Sequence, residues 1–239
     1  MTKVAGLTVV LPCLNEADNV ATAILEAHRA AELAAHQHEI ILVDDGSTDA
    51  TATIVADLLD RDPLVRLVMH TGNRGYGAAL RSGIGAARMP WILLTDSDLQ
   101  FDLGEIREFL PYAPASDLVV GWRVARRDPF SRRMNAAAWN WLVRRTFTLP
   151  VHDVDCAFKL VRRETVADLD LGSDGAMIST ELLVKALNRG ARLTELGVHH
   201  RPRVAGAQSG ADPRVVLRAF LELGRLRRAL WRPSGTVVA

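Results

Sequence analysis

Residues 39–62, EIILVDDGSTDATATIVADLLDRD, decide the fold class, because they hold a strand, a turn and a helix in direct succession. The apolar run 40–43 leads straight into two aspartates and a Gly-Ser-Thr-Asp turn, and helical sequence follows. Three further apolar runs, LTVVLPC (7–13), VRLVMH (65–70) and WILLTDSD (91–98), also alternate with helical sequence. Strands that are apolar throughout and alternate with helices are typical of a parallel sheet covered on both faces. We therefore predict an α/β fold with a mostly parallel central sheet and helices on both faces.

The second half of the chain is less regular but continues the succession of strands and helices. We predict strands in SDLVVGWR (116–123), FKLVRR (158–163) and ARLTELGVHHRPR (191–203), a basic loop running into a helix in 126–147, and helices in 179–190 and 213–233. Neither an internal repeat nor a low-complexity linker divides the sequence. We therefore predict a single domain spanning residues 1–239.

The composition excludes several classes of function. The chain has 239 residues, 49% apolar and 24% charged, with a net charge of +1, as in an ordinary globular protein without an overall attraction to nucleic acid. Its two cysteines, Cys13 and Cys156, are too few for a disulfide framework and do not form a metal-binding CxxC pair. The sequence shows neither a signal-peptide cleavage pattern nor an apolar run of roughly 18 residues. We expect a cytoplasmic protein with reduced thiols, whose contact with a membrane, if it has one, is peripheral at the inner face.

Polar side chains follow three of the predicted strands, at the edge of the sheet where open α/β folds bind ligands. They lie in residues 12–16, 44–47 and 96–100. Asp96 and Asp98 are two residues apart, so in a strand they would point to the same side. Two close carboxylates need a cation or a shared proton, and Gln100 repeats the spacing with a neutral oxygen. Three oxygen ligands suit Mg²⁺ or Mn²⁺, although a solvated strand end would have the same sequence.

The other two strand ends offer acceptors and donors for a nucleoside. Asp44 can accept hydrogen bonds from a base N–H or a ribose hydroxyl, and LPCLNE offers Glu16 and backbone amides. Part of DDGSTDAT is explained more simply as a turn in which Ser47 or Asp49 caps a helix. The chain has no P-loop sequence, and NRGYGAALRSG is not a dinucleotide fingerprint after the first strand. Phosphates would therefore have to be bound by a metal ion and arginines.

Six motifs in order resemble the family 2 glycosyltransferases over about residues 6–210: VVLPCLNEADNV, ILVDDGSTDAT, NRGYGAALRSGIGAA, LLTDSDLQ, DVDCAFKL and RPRVAGAQS. The branch they resemble most transfers sugars to dolichyl or polyprenyl phosphate. This resemblance implies a GT-A fold, a UDP- or GDP-hexose donor, Mg²⁺ or Mn²⁺ at the DxD motif and inversion at the anomeric carbon. We divide the domain accordingly into a donor half, 1–115, and an acceptor half, 116–212, followed by a C-terminal amphipathic helix, 213–233, that is predicted from the sequence itself.

The resemblance also implies roles for individual residues. The base and ribose would be bound by Glu16 and Asp44, in a site that includes Pro12 and Asn15. Asp96 would contact the ribose or the metal, and Asp98 and Gln100 would bind the metal. Phosphate would be bound by Arg123, Arg132, Arg133, Arg203 and Ser209.

The nucleophile is open between two alternatives. A phosphate acceptor is already anionic and needs cations, which are supplied by Arg123, Arg126, Arg127, Arg132 and Arg133. A hydroxyl acceptor needs a general base, and the candidates are Asp153, Asp155 and Glu181. We predict transfer of a hexose to a polyprenyl phosphate; the alternatives are a soluble or glycan hydroxyl acceptor, and a nucleotide-sugar-binding module without turnover.

The C-terminal helix, 213–233, carries apolar residues on one side and arginines mainly elsewhere. A basic amphipathic helix binds an anionic membrane surface, packs on its own domain, or packs on a second copy in a homo-oligomer. The sequence leaves these three alternatives open.

Overall fold

A computed structural model describes residues 2–124, 130–202 and 213–231, and of residues 130–133, 213–216 and 231 it describes the backbone only. Its strands are β1 (Val4–Cys13), β2 (Ala35–Asp44), β3 (Val65–Met69), β4 (Trp91–Leu94), β5 (Leu118–Val124), β6 (Lys159–Arg162) and β7 (Leu193–His199). The helices are α1 (Val20–Ala34), α2 (Thr51–Leu59), α3 (Tyr76–Ala86), α4 (Ile106–Phe109), α5 (Phe130–Phe147), α6 (Arg163–Val166), α7 (Ile178–Asn188) and α8 (Pro213–Trp231). Short 3₁₀ turns cover Leu103–Glu105 and Leu110–Tyr112.

The strands form one sheet in the order β3-β2-β1-β4-β6-β5-β7. β1, β2, β3 and β4 are parallel, and β5 is parallel to β7, whereas β6 is antiparallel to both of its neighbours. The predicted mostly parallel α/β sheet is therefore confirmed. Immediately before β6, the N–H of Gly121 donates to the carbonyl of Phe158 at 2.8 Å, which brings the chain before and after α5 together.

Two apolar cores lie on the two faces of the sheet, and alternation along β2 explains both. Ile40 and Leu42 belong to the core that includes α1, and Ile41 and Val43 belong to the core that includes α3 and α7. All four side chains are fully buried, which is why this strand reads as a continuous apolar run rather than an alternating one.

Several local details of the helices were not predicted. The residue before α1 is Asn19, whose side chain makes no capping hydrogen bond. The helical turns between residues 103 and 112, and α6, were not predicted either. Gly190 adopts a φ of 85° just after α7. Within the described ranges, none of the helices has the length and apolar content required to cross a bilayer.

Candidate active site

The carboxyl ends of β1, β2 and β4 meet at one edge of the sheet, because β1 pairs with both other strands. Cys13 and Asp44 are partners in the β1–β2 register. The segment after β4 is tied to β1 by a hydrogen bond of 2.9 Å from Ser97 Oγ to the carbonyl of Pro12. The structure therefore brings together the three polar segments that the sequence placed at strand ends.

The loop after β1 is locked to the loop after β2 through Asn15. Its Oδ1 accepts a hydrogen bond from Thr48 N at 2.8 Å, and its own N–H donates to Ser47 Oγ at 2.9 Å. Asn15 has a φ of 56°, a left-handed conformation that few residues other than glycine adopt and that often marks functional loops. The side chain of the next residue, Glu16, accepts a hydrogen bond from Asn19 Nδ2 at 2.6 Å.

Asp44 ends β2 with a carboxylate that is only 2% exposed. Its Oδ1 accepts the N–H of Ser47 at 3.0 Å and the hydroxyl of the same residue. Asp44 therefore organises the turn, as a helix-capping interpretation requires. Because both of these bonds use Oδ1, Oδ2 is the atom through which this residue would bind a nucleoside.

Asp45 was not predicted, although both of its carboxylate oxygens are hydrogen-bonded. Its Oδ1 is 2.6 Å from His70 Nδ1 and accepts Arg74 N at 2.9 Å, and its Oδ2 accepts Gly75 N at 2.8 Å. The other ring nitrogen of His70 lies 2.9 Å from Ser82 Oγ on α3. Asp45 therefore fixes the segment that leads into α3; the only sequence signal was its place as the second aspartate of VDDGS.

The DSDLQ segment does not continue β4, so the expected strand alternation of Asp96, Asp98 and Gln100 is wrong. The strand ends at Leu94, and Leu99 has a φ of 61°. Asp98 Oδ1 accepts the N–H of Gln100 at 3.1 Å in a tight turn. The side chain of Gln100 donates a hydrogen bond from Nε2 to the carbonyl of Arg201 at 3.0 Å. The oxygen of the same amide is the atom that could bind a metal ion.

The donor set at this turn fits a hard divalent ion that takes its remaining ligands from elsewhere. In the part of the chain that the structure describes, no group of three or more His, Cys, Asp or Glu side chains could hold a metal ion. Mg²⁺ and related ions are commonly bound by one or two carboxylates together with water and substrate phosphates. Asp96 and Asp98 supply such carboxylates, so the residues present suit a metal that binds together with a nucleotide diphosphate.

At the end of β5, Arg123 and Asp153 form a bidentate ion pair. Arg123 Nε lies 2.6 Å from Asp153 Oδ2, and Nη2 lies 2.9 Å from Oδ1. Burial opposes the charge on Arg123, but the hydrogen bond and charge of Asp153 outweigh it and raise the pKa of the guanidinium. Both carboxylate oxygens of Asp153 are therefore bound by Arg123, so that Asp153 is not placed as an available base.

Asp155 lies beside this pair in a different environment. Burial, followed by the charge of Asp153, raises the pKa of the Asp155 carboxyl from 3.8 to about 6. Trp139 of α5 donates a hydrogen bond to it, and the charges of Arg123 and Lys159 partly oppose the shift. Lys159 is itself buried, which lowers its pKa, and its Nζ donates to the carbonyl of Cys156.

Glu181, the third candidate base, is already bound by neighbouring residues of its own chain. Its two oxygens accept the N–H groups of Gly172 at 3.0 Å and Ser173 at 2.7 Å, and Lys185 Nζ lies 2.7 Å away. Burial acts to raise the pKa of this carboxyl, but the hydrogen bonds from Lys185 and the two amides lower it overall. Glu181 therefore holds the loop before α7 and stays ionised.

Several predicted phosphate ligands lie where their side chains cannot be placed. Arg132 and Arg133 belong to the first turns of α5, of which only the backbone is described. Arg126, Arg127, Arg203 and Ser209 lie outside the described residues.

The C-terminal helix α8 packs partly on its own chain. Glu222, only 7% exposed, accepts a hydrogen bond from Gly175 N at 3.2 Å, and Arg218 pairs with Asp174 at 3.5 Å. Phe220 of α8 contacts Trp139 of α5 edge to face, with ring centroids 5.3 Å apart. The other side of the helix pair exposes large apolar side chains, namely Met134, Trp141, Leu217, Phe220 and Leu221.

Comparison with known proteins defines the class to which this fold and site belong. The glucosyl-3-phosphoglycerate synthase of Mycobacterium tuberculosis, solved with Mn²⁺ and UDP-glucose, matches with a TM-score of 0.66 at 19% identity, over 92% of this chain and 79% of that one. At that identity the match establishes the fold alone, and the fold is GT-A, as predicted.

The chain belongs to glycosyl transferase family 2, whose sequence profile matches residues 8–169. An uncharacterized glycosyltransferase of Mycobacterium tuberculosis is 33% identical over 205 residues, which are 84% of this chain and 88% of that protein. The dodecaprenyl-phosphate galacturonate synthase of Rhizobium johnstonii is 32% identical over 222 residues, 91% of this chain and 65% of that protein. The predicted resemblance is confirmed, and the protein is a glycosyltransferase.

Proposed function

We propose that this glycosyltransferase moves a hexose from a UDP- or GDP-sugar to a polyprenyl phosphate, with inversion and with Mg²⁺ or Mn²⁺ bound at the turn after β4. The observation that carries the acceptor assignment is that two of the three candidate bases are already bound, Asp153 by Arg123 and Glu181 by two amides and Lys185. A phosphate nucleophile needs no general base. The Rhizobium johnstonii relative, named as a dodecaprenyl-phosphate galacturonate synthase, supports the same acceptor class.

In this proposal residues 1–115 bind the donor and residues 116–212 bind the acceptor. Asp44 and the loop with Pro12, Asn15 and Glu16 bind the base and ribose. Asp96 and Asp98, with the amide oxygen of Gln100, bind the metal, which would neutralise the diphosphate as it leaves. The acceptor phosphate is bound by arginines, for which Arg132, Arg133 and Arg203 are the candidates, together with Ser209.

We further propose that the protein works as a peripheral protein on the cytoplasmic membrane surface, where a polyprenyl phosphate would be presented. The exposed apolar side chains of α5 and α8 are accompanied by exposed arginines such as Arg225 and Arg228, and this combination suits an anionic lipid surface. Sedimentation with vesicles of phosphatidylglycerol and phosphatidylcholine tests the assignment. Binding that Leu217→Glu does not weaken would favour the other use of this surface, contact with a second copy.

A hydroxyl acceptor is the second candidate, and Asp155 is the observation that favours it. A carboxyl with a pKa near 6 is closer to the operating pH than an ordinary aspartate and is therefore better suited to accept a proton. The glucosyl-3-phosphoglycerate synthase that shares the fold is named for a water-soluble product.

The deciding experiment is a screen of nucleotide sugars with Mn²⁺, with and without a short polyprenyl phosphate, on wild type and Asp155→Asn. Transfer to the polyprenyl phosphate that Asp155→Asn retains within about threefold would support the proposal. Transfer to a hydroxyl acceptor that falls by about 10²- to 10⁴-fold in the variant, as expected for loss of a general base, would replace it. Donor binding without transfer or hydrolysis would indicate a binding module.

A further inference from the structure

Tyr76, the first residue of α3, is held in place by hydrogen bonds on both sides. The N–H of Gly75 donates to Asp45 Oδ2 at 2.8 Å, and the N–H of Gly77 donates to the carbonyl of Asp174 at 2.8 Å. The backbone at Tyr76 is therefore fixed by β2 on one side and by the loop before α7 on the other.

The two flanking glycines are required by close packing. Gly75 has a φ of 103°, and a Cβ on Gly75 or Gly77 would overlap the carbonyl oxygens of Asp174 and Ser173. Arg81, one turn further along α3, donates to the carbonyl of Ser173 and pairs with Asp174. The two glycines of the sequence GYG thus allow the close packing that fixes the backbone of Tyr76 beside the candidate active site.

The phenol of Tyr76 reaches the turn after β4, where it hydrogen-bonds to the carboxylate of Asp96. Asp98 and Cys156 lie close enough to act on it electrostatically. The contact joins residues twenty positions apart in sequence, one from α3 and one from the DxD motif. A phenol that donates a hydrogen bond to a carboxylate restricts the directions in which that carboxylate can point.

We propose that Tyr76 is a positioning residue that orients the carboxylate of Asp96 for the metal and donor diphosphate, an inference that rests on the proposed metal-dependent donor site. Groups that hydrogen-bond to metal ligands fix their orientation, and their removal commonly weakens metal affinity by about 10- to 100-fold. Tyr76 differs from a residue that only fills space, because its effect depends on one O–H and one carboxylate.

The test compares Tyr76→Phe with Tyr112→Phe in titrations of UDP and of uridine, each with and without Mn²⁺. The chain has two tyrosines, and Tyr112 is exposed in the helical turn before β5, at the opposite edge of the sheet. We expect Tyr76→Phe to reduce the Mn²⁺-dependent gain in UDP affinity by about 10- to 100-fold and to leave uridine affinity unchanged. Tyr112→Phe should match wild type in both titrations.

Two further measurements separate positioning from packing. In an Asp96→Asn background, Tyr76→Phe should have no additional effect on Mn²⁺-dependent UDP affinity. In a chain labelled with 3-fluorotyrosine, Mn²⁺ with UDP should broaden the ¹⁹F resonance of residue 76 and leave that of residue 112 sharp.

An unchanged Mn²⁺ gain in Tyr76→Phe, or an equal loss of uridine affinity, would overturn the inference. Neither outcome bears on sugar transfer by wild type, which is assayed on the same preparation and reports on the proposed function separately. Absence of any Mn²⁺ effect on wild-type UDP affinity would overturn both the inference and the metal site.

Discussion

Arg123 binds both carboxylate oxygens of Asp153, through Nε at 2.6 Å and Nη2 at 2.9 Å. Bidentate pairs of this kind are the strongest ordinary ion pairs in proteins, and this one joins the end of β5 to the segment before β6. An arginine that was a candidate phosphate ligand and an aspartate that was a candidate base are thus already partners. In the proposed mechanism, the acceptor phosphate would therefore be bound by other arginines.

Replacing Arg132 and Arg133 together with alanine should therefore raise the KM for polyprenyl phosphate or strongly reduce turnover, with the donor Kd nearly unchanged. The pair Arg132→Lys and Arg133→Lys should restore little, because an ammonium lacks the bidentate geometry of a guanidinium. Steady-state kinetics with a short polyprenyl phosphate give both quantities. The matched control is Arg144→Ala with Arg145→Ala, in the last turn of the same helix; equal effects of the two pairs would indicate a general loss of charge.

Asp98→Asn should abolish the contribution of Mn²⁺ to nucleotide binding while the fold is retained. Asparagine keeps the oxygen that accepts the N–H of Gln100 at 3.1 Å, so the turn is preserved and only the charge is lost. Because a like charge at Asp96 is then relieved, the melting temperature of the metal-free protein should stay the same or rise. Calorimetric titration with UDP and GDP checks the first point; Mn²⁺-dependent binding equal to that of wild type would place the metal elsewhere.

Asp44→Ala should weaken nucleosides and nucleotides alike, whether or not metal is present. The expected loss is roughly 1.5–3 kcal/mol for each charge-assisted hydrogen bond removed. Ser47→Ala is the control, because it removes the hydroxyl partner of Asp44 Oδ1 and leaves the carboxylate in place. If both variants lose the same affinity, Asp44 acts only by capping the turn.

Asp155→Asn should stabilise the protein at pH 8 and have little effect at pH 3.5. The pKa of this carboxyl is raised from 3.8 to about 6, so the folded state favours the protonated form. The stability contributed by that form is complete below pH 3.8 and is lost as the pH rises through 6. Asparagine stays neutral, and the expected gain at pH 8 is at most about 3 kcal/mol, measured by urea unfolding at the two pH values.

The control for that experiment is Asp117→Asn, because the pKa of Asp117 is shifted in the opposite direction from that of Asp155. The hydrogen bond from Arg192 lowers the pKa of Asp117 to about 2, so its contribution is present above pH 3.8 and is lost as the pH falls through 2. Asp117→Asn should therefore be less stable than wild type at pH 8, with a difference that shrinks in acid. Stabilisation of both variants at pH 8 would contradict the assignment for Asp117, and destabilisation of both would contradict the assignment for Asp155.

The sequence predicted the parallel half of the sheet well, because strands such as β2 are buried on both faces and leave a plain apolar signal. It predicted the acidic strand ends for the same reason, since Asp44 directly follows that signal. The prediction that Asp96, Asp98 and Gln100 continue a strand was wrong, because β4 ends at Leu94 and the segment that follows is a turn with Leu99 in a left-handed conformation. Asp45 and Tyr76 escaped prediction, since each acts through partners that only the assembled sheet brings near.

The antiparallel strand β6 has a consequence for how this enzyme class diversifies. The hydrogen bond between Gly121 and Phe158 at the sheet closes a loop in the chain, and the Arg123–Asp153 ion pair joins the two sides of that loop a second time. The entropic cost of closing such a loop grows by only about 0.6 kcal/mol for each doubling of its length. If residues 116–212 bind the acceptor, as proposed, then length added inside this loop would alter the acceptor site at a small entropic cost, and the parallel strands β1–β4 would stay unchanged.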